Sequence, residues 1–103
     1  MAIIDVVVIP LDGQSISVSK YIAEIQKILE KLKIEGKIDY QLTPMSTLIE
    51  GELHECLMAL EAIHESPFHQ GVERVCTNIR IDDRRDKLRK MNEKIDAVKK
   101  HLK

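Results

Sequence analysis

Apolar residues change their spacing repeatedly along this chain, and the order of those changes restricts the fold more than any single motif. Ile3 to Leu11 is a nearly continuous β-branched run bounded by Pro10 and Asp12-Gly13. Its apolar residues sit on both parities: Ile4, Val6 and Val8 on one, Ile3, Val7 and Ile9 on the other. That predicts a central strand buried on both faces. Val18, Tyr21, Ile22, Ile25, Ile28, Leu29 and Leu32 then recur three or four apart, which is one stripe of a helix. Ser17 suits its N-cap, since a hydroxyl accepts from an unpaired first-turn N–H. Gly36 is placed to end it in the left-handed region. Ile38, Tyr40 and Leu42 alternate with polar residues and predict a half-buried strand that Pro44 interrupts. Met45 to Glu50 reads as a further short strand closed by Gly51.

Leu53, Cys56, Leu57, Leu60, Ile63 and His64 form a second helical stripe. Ser66-Pro67 predicts a kink or a restart, because proline lacks the donor and clashes with the preceding turn. Val75, Thr77, Ile79 and Ile81 alternate with Cys76, Asn78 and Arg80 as a last strand. Asp83 is a candidate cap for a final helix with a narrow seam of Leu88, Met91, Ile95, Val98 and Leu102.

The order β-α-β-β-α-β-α describes an α+β fold: a ferredoxin-like βαββαβ sandwich with an additional C-terminal helix. With 103 residues and no linker or repeat, 1–103 is a single domain. Its aromatic residues are Tyr21, Tyr40 and Phe68, so the core is built from aliphatic side chains. Two helices cover one face of the sheet. The other face is apolar enough to need a cover, and the third helix is too narrow-seamed to supply it. Sheet-to-sheet packing in a homo-oligomer is the expected solution.

Charge is split along the chain. Residues 1–81 hold 7 basic and 12 acidic groups, and residues 82–103 hold 9 basic and 5 acidic. An acidic body with a basic end predicts attraction within or between subunits. The net charge of -1 argues against a uniformly basic nucleic-acid binder. No apolar run reaches the ~18 residues of a membrane span. The start, Met1-Ala2-Ile3-Ile4-Asp5, has no basic n-region of a signal peptide. Cys56 and Cys76 make no disulfide framework, and the expected location is cytoplasmic.

Motifs for chemistry are sparse. His64 and His69 are five apart and do not share a helix face as a zinc pair would, so no metal is expected. No nucleophile elbow occurs, and no histidine is near Cys76 in sequence. The strand positions where RNA-binding relatives of this layout carry rings hold Val6, Val8, Thr77 and Ile79 instead, so no nucleic acid is expected. Three polar clusters stand out. Ser15 lies in Gly13-Gln14-Ser15-Ile16-Ser17-Val18-Ser19, which reads either as helix capping or as a site for a polar or anionic ligand. Thr47 and Glu50 lie in Met45-Ser46-Thr47-Leu48-Ile49-Glu50, either an edge strand with an exposed acid or the wall of a pocket. Thr77 and Asn78 are either a cross-strand polar pair or part of the same wall.

These clusters carry a resemblance. Val8-Ile9-Pro10-Leu11 with Ser15-Ile16-Ser17-Val18-Ser19-Lys20-Tyr21 resembles the opening of the small YkoF-like, thiamine-binding proteins. Met45-Ser46-Thr47-Leu48-Ile49-Glu50-Gly51 is similar to that family's second signature. Arg74 to Asp86 is similar to its third. Pro44, Ser46 and Ser66-Pro67 depart from the usual pattern. The resemblance implies a cytoplasmic homotetramer that binds thiamine or its hydroxymethylpyrimidine moiety without catalysis. It implies Ser15, Thr47, Glu50 and Thr77 as ligand-binding residues. An aminopyrimidine offers an amine donor for Glu50 and ring-nitrogen acceptors for the hydroxyls. The alternative is an oligomeric structural or regulatory module without a small-molecule site.

Overall fold

The computed structural model describes residues 1–11, 18–86 and 91–102. The elements are β1 (Ala2–Pro10), α1 (Val18–Ile34), β2 (Asp39–Leu42), β3 (Thr47–Gly51), α2 (Leu53–His69), β4 (Val75–Asp83) and α3 (Met91–His101). The strands form one antiparallel sheet in the order β2-β3-β1-β4. This is the ferredoxin-like arrangement, with the additional C-terminal helix.

Strand β1 is fully buried on one face only, not on both as expected, and the register shows which. Ile4 pairs with Ile49 on β3 and Ile81 on β4, and Val6 pairs with Thr47 and Ile79. Cross-strand partners share a sheet face, so these residues face α1 and α2. Ile4, Val6, Ile25, Leu29, Ile49, Cys56, Ala59 and Ile63 form the core between sheet and helices. Each fully buried aliphatic side chain there contributes about 1.5–3 kcal/mol relative to exposure. Ile3, Asp5 and Val7 point to the other face and are half-buried, while Ile9 is exposed.

Local chemistry sets the boundaries. Gly36 has φ 76°, and with the bonds from Gly36 N to Lys33 O and Lys37 N to Leu32 O it ends α1 as its position predicts. Gly51 has no side chain for a steric reason: a Cβ there would lie 3.2 Å from the Lys37 carbonyl oxygen.

Three local expectations need correction. The strand expected from Met45 starts at Thr47, because Thr43 to Ser46 closes a tight hairpin turn. The restart expected at Ser66-Pro67 does not occur. Helix α2 runs through both to His69, with both buried. Pro67 lies in the last turn, so the lost backbone bond and the crowding of the preceding turn fall at the helix end, where no further turns have to follow. Asp83 caps no helix: it is the last residue of β4 and accepts from Arg85. The expected N-cap Ser17 and the seam residue Leu88 lie outside the described residues.

Candidate ligand pocket

A cavity of about 120 Å³ opens at the end of the sheet where β1, α1 and the β2–β3 turn meet. Val6 and Val8 supply the wall from β1, Ile22 and Ile25 from α1, and Ile63 from α2. Alternation along β1 and the three-four stripe of α1 aim these side chains at one another, so the space is mainly apolar.

Its polar groups come from two places. Thr47 is buried, and its hydroxyl accepts a hydrogen bond from Gln26 Nε2 at 3.3 Å. The mouth is the β2–β3 turn. Thr43 Oγ1 donates to the Ser46 carbonyl at 2.8 Å and accepts from Ser46 N at 3.0 Å and Met45 N at 3.3 Å. Thr43 N also donates to the Ser46 carbonyl. These bonds hold Pro44 and Met45 at the rim, where Met45 is 85% exposed. No ionisable side chain lines the cavity among the described residues.

The predicted ligand residues are distributed unevenly. Thr47 lines the cavity. Glu50 is buried on the opposite face of the sheet, in register with Ile3 on β1 and Asp39 on β2. Thr77 lies in register with the wall residue Val8, but its hydroxyl is 2.7 Å from His64 Nδ1 in a separate groove between α2 and β4. Ser15 lies outside the described residues. Gln26 was not singled out by sequence. It sits four residues after Ile22 and beside Ile25, so its polarity at the flank of the α1 stripe is the available signal. That it meets Thr47 depends on how α1 crosses the sheet, which the sequence does not state.

Elsewhere, the Ser46 hydroxyl and the Arg80 guanidinium lower the Asp5 carboxyl below its usual range. Arg80 Nε and Nη2 both donate to Asp5 Oδ2, at 3.0 and 2.6 Å, while the buried Oδ1 has no hydrogen bond of good geometry. Burial pushes the Cys56 thiol up to about 11, with the Glu50 and Glu52 charges adding to it. Among the described residues no group of three His, Cys, Asp or Glu could hold a metal ion. No helix among them is long and apolar enough to cross a membrane.

Comparison with known proteins gives a consistent picture. The family model described as thiamine-binding protein matches residues 4–99. A UPF0045 protein of Staphylococcus xylosus is 66% identical over 102 residues, covering 99% of this chain and 95% of the relative. The UPF0045 protein YqgV of Bacillus subtilis is 59% identical over 102 residues, covering 99% and 98%. Among solved structures, a hypothetical protein of Methanocaldococcus jannaschii superposes with a TM-score of 0.80 at 31% identity, covering 95% of each chain. A Thermotoga maritima protein named for thiamine biosynthesis/salvage has a TM-score of 0.64 at 20% identity, covering 94% of this chain and 97% of that one, a likeness of fold.

Proposed function

This chain belongs to the thiamine-binding protein family, and from that premise we propose that its cavity takes the aminopyrimidine ring of thiamine or of hydroxymethylpyrimidine. The observation that carries this reading is the Gln26–Thr47 pair set in an apolar cavity of single-ring size. A dry cavity of roughly 150 Å³ accommodates benzene. The space here is smaller, about 120 Å³, but open at its mouth, so a ring enters edge-on with its outer substituents and the remainder of a two-ring ligand in the mouth.

Beyond its bond to Thr47, the Gln26 carboxamide has a carbonyl oxygen and a second N–H to offer. That edge matches an exocyclic amine beside a ring nitrogen. Met45 stands at the mouth, where a polarizable thioether suits an aromatic face. A thiazolium outside the mouth is favoured by the acidic balance of residues 1–81.

The role proposed is binding, in keeping with the description of the family as thiamine-binding protein. The same reading has the protein act in the cytoplasm as a homo-oligomer, a tetramer by resemblance, in which the sheet face of Ile3, Val7 and Ile9 meets a second copy. The exposed stripe of α3 also supports a second reading, an oligomeric module without a small-molecule site.

Isothermal titration calorimetry with thiamine and with hydroxymethylpyrimidine separates the two. Saturable heat with either ligand is expected. No heat and no thermal shift with both would overturn the ligand reading.

A further inference from the structure

Strand β4 is an edge of the sheet and nine residues long, whereas the other edge, β2, has four. A long edge strand is normally covered or interrupted, because its open row of backbone groups recruits other chains. On the helix side of β4, Ile79 and Ile81 remain 43% and 47% exposed, and the facing Leu57 of α2 is 41% exposed. Between them runs a groove of about 350 Å³ lined by Leu57, Leu60, Glu61, His64, Thr77 and Ile79.

Helix α3 has the complementary defect. Ile95, Val98 and Leu102 form its stripe and are 45%, 59% and 78% exposed. The stripe recurs at i, i+3 and i+7. On α2, Leu57, Leu60 and His64 have the same spacing, and each stripe spans ~10 Å at the rise of a helix. The charges also match. Helix α2 carries Glu55, Glu61 and Glu65 with no Lys or Arg, and α3 ends in Lys99, Lys100 and His101.

We propose that the α3 stripe of one copy of this chain docks in the α2–β4 groove of a second copy. The donor is another copy because α3 stands on the wrong side of its own sheet. Lys94 of α3 pairs with Asp82. Asp82 is in register with Ile3 and so belongs to the face away from the helices, while the groove lies on the helix side. Reciprocal exchange of α3 between two copies gives a closed two-fold contact rather than an open filament. It buries both stripes, places Lys99 and Lys100 near Glu61 and Glu65, and covers the exposed helix-side face of the long edge strand. This surface is separate from the ligand cavity, so neither claim depends on the other.

The test uses two differently tagged forms of the full chain in a Cys76→Ser background, one with Val98→Cys and one with Leu57→Cys. Mild oxidation of the mixture is expected to give a disulfide-linked heterodimer, and neither form alone should give a linked dimer. A dimer from Val98→Cys alone would mean that α3 pairs with α3, and no heterodimer would mean that the groove is not the acceptor; either overturns the proposal. Independently, Val98→Asp should weaken self-association in sedimentation by roughly tenfold or more, with the melting temperature of the body retained. Unchanged sedimentation would also overturn it.

Discussion

The Gln26 carboxamide donates to the Thr47 hydroxyl, tying the middle of α1 to the first residue of β3 inside the cavity. Both residues are polar in a wall that is otherwise mostly aliphatic. The bond fixes the orientation of the carboxamide and therefore which donor and acceptor a ligand meets.

Thr47→Val keeps the shape of the side chain and removes that acceptor. A typical hydrogen bond contributes about 1 kcal/mol net. The affinity for hydroxymethylpyrimidine should therefore fall roughly fivefold, as should that of Gln26→Leu. Because the two groups are bonded to each other, the double variant should lose less than the sum of the single losses. Calorimetry on the four proteins checks this, and full additivity would mean that the pair does not act as a unit.

Glu50→Gln should leave ligand affinity within about twofold, since one bond lost from the ligand would already cost about 1 kcal/mol. Glu50 lies on the far face of the sheet, with Ile3 and Asp39 beside it rather than the cavity. Burial makes it a structural position, and the substitution should register as a change in melting temperature. A fivefold loss of affinity without thermal change would put the carboxylate in contact with ligand and contradict this placement.

The difference between Thr47 and Glu50 shows what was legible in the sequence. Alternation and three-four stripes sufficed for the element order and for β1 as the central strand, because period is a local property. Thr47 and Glu50 lie in one short run of sequence, yet alternation sends them to opposite faces, and choosing the ligand face requires the register with β1. Gln26 meets Thr47 only after α1 crosses the sheet. The Ser66-Pro67 restart failed for a related reason: how much a proline disrupts depends on how close the helix end is, and the end is fixed by the Gln70 and Val72 bonds to the Pro67 carbonyl.

Acid should weaken the fold through Asp5. The Ser46 hydroxyl and Arg80 lower its folded-state value below the ordinary 3.8. A lowered carboxyl stabilises the folded state fully above the unfolded value, and that contribution is lost as pH falls through the lowered folded value. Wild type should therefore exceed Asp5→Asn in urea-unfolding stability at pH 7. The gap should begin to close below about pH 4 and narrow further with acid. A gap independent of pH would mean that the side chain acts through packing and not through its charge.

The two thiols should behave differently toward a disulfide reagent. Cys56 is buried in the core, and its thiol is pushed up to about 11, so little thiolate exists at neutral pH and none of it is accessible. Cys76 is exposed on β4, in register with Ile9 on the face away from the helices. One thiol should react in the native protein, and Cys76→Ser should abolish that phase. Cys56 should react only after denaturation. If the sheet faces of two copies meet there, the native phase should also slow as protein concentration rises, because association covers Cys76. A rate independent of concentration across the range where sedimentation detects association would place the contact away from that face.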